Sequence, residues 1–382
     1  MSVRYSYLKE QFANPEPIFD EIRKLLKTGE FTLGPQLTEF EENFAKLIGT
    51  NFAIGVGSGT DAIKISLKAL GIGNGDEVIT AANTFIATAG AINEIGASPV
   101  FVDVNEHFVM DTSKIEAAIT PRTKAIVPVH FTGEPVEMDA LMEIARKHDL
   151  YVVEDACQSI LCEHKKRICG TFGNAGAFSL HPLKNLNVWA DGGVIVTNCE
   201  RLADKIRLLR NHGLKNRDEI ACFGYNSRLD TIQAIVGNWL LPQAKSITKK
   251  RRENAKYFDD NLSKFVDIPK RRDYVKGCYH LYMFHVEHQF RDDLYRFLNS
   301  KGVEAKIHYP IPLYQQEGLK HLGYKKGDFP VTDLQARTVI SLPVDQHMTR
   351  EMMDVCITQI GQFFISRDKD GEKRWKDPMY RL

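Results

Sequence analysis

Residues 76–104, DEVITAANTFIATAGAINEIGASPVFVDV, decide the fold. The run DEVITAA is short, apolar and rich in β-branched residues, which predicts a strand. ATAGAINEIG follows with helix-forming alanines and stops on a glycine, which predicts a helix and its end. SPVFVDV then reads as a second strand. Neither strand alternates apolar with polar residues, so each is expected to be buried on both faces, as in a parallel sheet covered by helices.

The same alternation extends outward. Upstream lie the amphipathic helix PIFDEIRKLLKTG, the helix PQLTEFEENFAKLIG, the strand FAIGVGSG and the helix TDAIKISLKALGI; downstream come TKAIVPVHF, the helix MDALMEIARKH and the strand LYVVEDA. The fold class is therefore α/β, a mostly parallel central sheet flanked by helices. Around LRNHGLKNRDEIACFGYNSRLD the alternation stops, and a long helical pattern begins at Thr231. This places a boundary near residue 240: a large domain over 1–240, a smaller C-terminal α+β domain over 241–365, and a charged tail over 366–382 whose Trp375 and Tyr380 can dock on a neighbouring surface.

Composition narrows the partners. The 382 residues are 43% hydrophobic and carry 50 Lys+Arg against 49 Asp+Glu. A formal net charge of +1 offers no broad attraction to nucleic acid or anionic membrane, so the expected ligands are small molecules. The opening residues lack a basic and apolar signal segment, and no run approaches the roughly 18 apolar residues of a membrane span. The expected location is the cytoplasm. Cys157, Cys162, Cys169, Cys199, Cys222, Cys278 and Cys356 form no C-x-x-C pair, so reduced structural thiols are expected and no metal.

Three features carry chemistry. In GVGSGTDA, glycines and the hydroxyls of Ser58 and Thr60 join a strand to a helix, an arrangement whose backbone N–H groups can cradle a phosphate. It is not a dinucleotide fingerprint, since Thr60 stands where a third glycine is required, and it lacks the lysine of a P-loop. Asp155 ends the strand LYVVED, where ligands of such sheets bind, and serves there as a helix cap, an ion-pair partner or the counter-charge of a bound cation. Lys184 is the only lysine or arginine of GAFSLHPLKNLNVWADGGVIVTN (176–198). It is either a snorkelling surface lysine or an amine of depressed pKa able to attack an aldehyde. Together, an anion cradle, a carboxylate and an amine are what pyridoxal 5′-phosphate requires.

The segments FTLGPQLTEFE, GSGTDAI, GDEVITAANTFIATAGAI, VEDACQS, FSLHPLKNL, DGGVIVTN, RNHGL, GYNSRLDTIQA and IHYPIPLYQQ, spread from about residue 10 to 365, resemble the DegT/DnrJ/EryC1 sugar aminotransferases. The resemblance implies the PLP-dependent transferase fold of type I and roles for particular residues. Lys184 would hold the cofactor and carry the proton, and Asp155 would pair with its pyridinium nitrogen. Gln158 would neighbour its phenolic oxygen, Phe85 would stack on its ring, and Gly59, Thr60 and Ser179 would contact its phosphate. Asn226 would reach the phosphate from the second subunit of a homodimer with shared active sites. His308, Tyr309 and Arg228 would line the substrate side. Family members with histidine in place of the lysine are dehydratases; this chain keeps the lysine.

The resemblance also implies L-glutamate as amino donor and a ketosugar, usually nucleotide-linked, as acceptor, for surface-glycan or secondary-metabolite biosynthesis. Asp61 in SGTDA together with NSRLD (226–230) resembles the subgroup acting at C3 rather than C4 of the sugar. Trp189 and Glu134 depart from the family pattern and are expected near the substrate mouth, which keeps an unlinked ketosugar phosphate or acid open as acceptor. An NAD(P)-dependent oxidoreductase and a catalytically silent regulatory member of the fold are the rival readings.

Overall fold

The computed structural model describes residues 2–367. The expected tail lies outside the described residues from position 368 onward, Trp375 and Tyr380 included. Seven strands form the central sheet: β1 (Phe52–Val56), β2 (Glu77–Ala81), β3 (Ser98–Val102), β4 (Thr123–Val127), β5 (Tyr151–Asp155), β6 (Ala175–Ser179) and β7 (Gly193–Thr197). Their order is β1-β7-β6-β5-β4-β2-β3. The pairings β2–β3, β2–β4, β4–β5 and β5–β6 are parallel, whereas β7 runs antiparallel to both of its neighbours. A strand antiparallel to two others leaves those two parallel to each other, so β1 points the same way as β6.

Both faces are buried by strict alternation along each strand. Val194 and Val196 of β7 pack with Phe40, Phe44, Leu240 and the other residues of one core, while Ile195 packs with Ile63, Leu67 and Ile206 on the opposite face. Val152 and Val153 of β5 divide in the same way, Val152 packing with Met138 and Leu141. The sheet thus has no wet face, which is why its strands read as continuous apolar runs.

Beyond Asp230 the helix Thr231–Leu240 lies along the helix Pro35–Ile48 in the first core. Ala244–Leu262 follows after a single 3₁₀ turn at Pro242. That helix joins the first core through Ala244 and Ile247 and a separate one through Ala255, Phe258 and Leu262. The separate core is closed by the antiparallel pair β8 (Tyr282–His285) and β9 (Val339–Leu342) and by helices His288–Ser300 and Arg350–Ile365. The start of the chain is stitched to it: Val3 bridges Val303, and Tyr5 N–H donates to Glu304 Oε2 at 2.8 Å.

Candidate active site

Strand direction gathers the chemistry at one edge. Because β1, β2, β5 and β6 run in the same sense, their carboxyl ends deliver Gly57–Thr60, Asn83–Phe85, Asp155–Gln158 and Ser179 to the same side of the sheet. The antiparallel β7 begins there at Gly193, whose Cα packs so closely on the Ser58 carbonyl that a Cβ would not fit. Six of the expected residues, Gly59, Thr60, Phe85, Asp155, Gln158 and Ser179, fall on this edge.

Adjacent carboxylates on β5 have opposite fates because successive side chains leave a strand on opposite faces. Glu154 is fully buried and accepts from the N–H groups of Gly170, Phe172 and Gly173 and faces His130 Nε2 at 3.0 Å, a structural role. Asp155 is 6% exposed. Its Oδ1 accepts from Cys157 N–H at 3.1 Å and its Oδ2 from Thr88 Oγ1 at 2.8 Å, with Thr84 Oγ1 a further 2.8 Å from Thr88. The carboxylate is therefore oriented by two donors and meets no cation in an ion pair among the described residues. It does not cap a helix.

Gly59 opens the helix Gly59–Ala69, and a Cβ on it would stand 2.7 Å from Ser179 Cβ and 2.8 Å from Cys157 Sγ. Only glycine allows three strand ends to meet here. The cap is Ser58, whose Oγ accepts from Asp61 N–H at 3.1 Å and keeps its O–H to donate. The N–H groups of Gly59 and Thr60 precede the helical ladder and point outward, as the positive end of a helix dipole does. Asp61 is held by Ser227 Oγ at 2.8 Å and by Lys64 Nζ at 2.6 Å, and Ser227 Oγ also accepts from Gly57 N–H at 3.0 Å. SGTDA and NSRLD thus form one hydrogen-bonded unit behind the anion cradle.

Lys184 sits in the loop between β6 and β7. Its carbonyl accepts from Tyr7 Oη at 2.8 Å and from Asn187 Nδ2 at 3.0 Å, and Asn185 Nδ2 donates to the Cys278 carbonyl at 3.0 Å. Lys184 lines a small cavity with Cys157, Gln158 and Ser179. Burial depresses its pKa, with Cys157, Asp155 and Cys278 pulling the other way. Gln158 Oε1 accepts from Thr132 N–H at 2.8 Å.

From the second core, His308 and Tyr309 approach the same edge. Phe85 is 51% exposed and its ring lies 5.9 Å from that of Tyr309. Burial and the Asp155 charge raise the Tyr309 phenol above its usual value. His308 is lowered to about 4 by burial and by the Lys184 and Lys306 charges, and its Nδ1 lies 2.9 Å from Ser341 Oγ.

Other expected residues stand elsewhere in this chain. Trp189 packs with Phe12 and Phe19 at ring distances of 5.9 and 5.6 Å and its N–H donates to Gln233. Its apolar area is spent on the first core, not on a substrate mouth. Glu134 is bound at 2.7 Å by Arg272, which also pairs with Glu137. Asn226 is exposed and its backbone bridges Asn211; Arg228 Nη1 donates to Asn211 Oδ1 at 3.2 Å. Thr88, Tyr7, Asn185 and Asn187 escaped the sequence reading. Thr88 alone carried a signal, lying three residues after Phe85 and hence on the same face of that turn.

The model of the DegT/DnrJ/EryC1/StrS aminotransferase family matches residues 14–360. A pleiotropic regulatory protein of Geobacillus stearothermophilus is 38% identical over 95% of this chain and 99% of its own. The UDP-N-acetyl-3-dehydro-alpha-D-glucosamine 3-aminotransferase of Acidithiobacillus ferrooxidans is 40% identical over 91% of this chain and 94% of its own. Among solved structures, DesV of S. venezuelae in complex with a ketimine intermediate superposes with a TM-score of 0.92 at 35% identity, covering 95% of this chain and 98% of that one. Sequence match and strand-end geometry agree, and the chain belongs to the DegT/DnrJ/EryC1/StrS aminotransferase family.

Proposed function

We propose that the protein is a pyridoxal 5′-phosphate-dependent aminotransferase that moves the amino group of L-glutamate to a 3-keto nucleotide-diphosphate sugar. The observation that carries this reading is the convergence of a lysine of depressed pKa, a doubly oriented buried carboxylate and a glycine-only helix start on one sheet edge. These residues fit the cofactor. The Gly59 and Thr60 N–H groups and Ser179 suit a phosphate, Asp155 suits a protonated ring nitrogen, and Phe85 has an exposed ring face for stacking. When bound, the cofactor supplies an electron sink for the carbon losing its proton and carries nitrogen between the two substrates.

The chain's own residues do the rest. Asp155, held in place by Thr88 and Cys157, would face the ring nitrogen. Lys184 takes and returns the substrate proton at Nζ, and its buried setting increases the neutral fraction able to accept it. Tyr7 and Asn187 fix the backbone from which that amine reaches. Phe85 and Tyr309 exclude water from one side.

The 3-keto assignment is supported by the resemblance of SGTDA and NSRLD to the C3-acting subgroup and by the aminated position in the name of the Acidithiobacillus relative. An unlinked ketosugar phosphate or acid is the alternative acceptor. A homodimer with shared sites accounts for the exposure of Asn226.

Borohydride reduction of the holoenzyme followed by peptide mapping tests the reading. The cofactor mass is expected on Lys184, and Lys184→Ala is expected to lose transamination while folding normally. Glutamate-treated enzyme given matched 3-keto and 4-keto nucleotide sugars is expected to yield an amine at C3 by NMR. Cofactor mass on another lysine, or amination at C4 alone, would overturn the corresponding part.

A further inference from the structure

Between the Lys184 loop and the second core lies a cavity of about 90 Å³, bordered by Tyr5, Tyr7, Arg251, His280, His308 and Asp345. At about 30 Å³ per water it holds roughly three waters, or a carboxylate with its attached carbon. Arg251 reaches it from the helix Ala244–Leu262 and is 2% exposed. Its Nε donates to Gln346 Oε1 and its Nη1 to the Tyr279 carbonyl, both at 3.1 Å, and the guanidinium lies 5.1 Å from the Tyr7 ring. Its Nη2 is buried without a hydrogen-bond partner, as is His280 Nδ1. Among the described residues Arg251 forms no ion pair. A buried guanidinium whose Nη2 hydrogens are both unspent and which forms no ion pair is costly, and the cost is recovered when a carboxylate arrives.

Asp345 is the one acid in the lining. It is 6% exposed, and its Oδ1 already accepts from His347 N–H at 2.8 Å. Burial raises its pKa, with Arg251 opposing, and no ion pair joins it to Arg251 among the described residues. The cavity also adjoins the reacting lysine: Leu183 borders it, and Tyr7, another of its walls, donates to the Lys184 carbonyl.

We propose that this cavity binds a substrate carboxylate, with Arg251 Nη2 as the charged donor and His280 as a neutral partner. The carboxylate is that of the amino-acid donor or of a uronic-acid sugar; both present the same group. The inference rests on the aminotransferase reading for the word substrate, though not for binding.

The test titrates wild-type and Arg251→Gln holoenzyme with L-glutamate and with UDP-glucuronate, following cofactor absorbance and melting temperature. One ligand is expected to bind the wild type and to lose about 10- to 100-fold in affinity in the variant, as loss of a hydrogen bond to a charged group implies; that ligand identifies the source. Unchanged affinity for both, an equal loss for both, or no binding of either by the wild type overturns the proposal. If Arg251→Gln does not fold, His280→Ala takes its place, and the same ligand must weaken selectively. Wild-type enzyme that binds glutamate through Arg251 yet transfers no nitrogen would remove the aminotransferase reading and leave the carboxylate site standing.

Discussion

Glu154 and Asp155 are neighbouring acids, and the pleat of one strand sends one into a backbone network and the other to the face of the site proposed above. Glu154 spends its oxygens on three backbone N–H groups and faces His130, whereas Asp155 keeps lone pairs beyond those used by Thr88 and Cys157. Asp155→Asn is expected to bind the cofactor and to lose roughly 10²- to 10³-fold in turnover, the usual effect of removing one fixed electrostatic stabiliser. Thr88→Val leaves the charge and removes one orienting donor, worth about 1–2 kcal/mol and therefore about tenfold in turnover. Steady-state rates together with cofactor absorbance check both. An Asp155→Asn enzyme with wild-type turnover would return that residue to a structural role. The carboxylate was legible in the sequence because it ends an apolar run. Its keeper Thr88 was masked, since a threonine in a helix has many bland uses.

At the scale of elements, the start of the helix Gly59–Ala69 is the tightest junction of the site. Gly59→Ala would drive a methyl group into Ser179 and Cys157, at an overpacking cost of about 1–3 kcal/mol. The expected result is a folded protein of lower melting temperature whose cofactor affinity falls more steeply than its stability, measured by thermal scans with and without added cofactor. Full cofactor affinity in that variant would show that the junction does not shape the anion cradle. The first five strands of the sheet were readable because each is a short apolar run, whereas β6 and β7 lay inside the segment read for its lysine and were not assigned as strands. The Lys184 loop was readable only as a lysine in odd company. What fixes it, Tyr7 from 177 residues upstream and the Cys278 carbonyl from 93 residues downstream of Asn185, is contact between distant segments. No local pattern encodes such contact. Trp189 misled for the same reason: proximity in sequence to Lys184 suggested the mouth, while Phe12 and Phe19 drew the ring into the core.

For the whole molecule, large apolar side chains stand exposed beside the site, Phe85 at 51% and Ile311 at 50%, and in the loop leading to Asn226, Ile220 at 71% and Phe223 at 100%. A twofold partner covering these residues would bring Asn226 to a neighbouring cradle, since an isologous interface repeats every contact. Mixing Lys184→Ala with Asn226→Ala chains, each inactive alone, is expected to restore about a quarter of wild-type activity, because half the random dimers would carry one intact site. No recovery after verified exchange would count against shared sites. The stitching of the chain's first residues has a different reach. Val3 pairs beside Val303, and Tyr7 clasps the lysine loop. On the ribosome, Val3 must wait for a partner three hundred positions later, and Tyr7 for one 177 positions later. Contacts between segments so far apart form slowly. The Lys184 loop therefore gains its final setting only after Cys278, far downstream, has been made, and a change that removes Tyr7 acts on that loop directly.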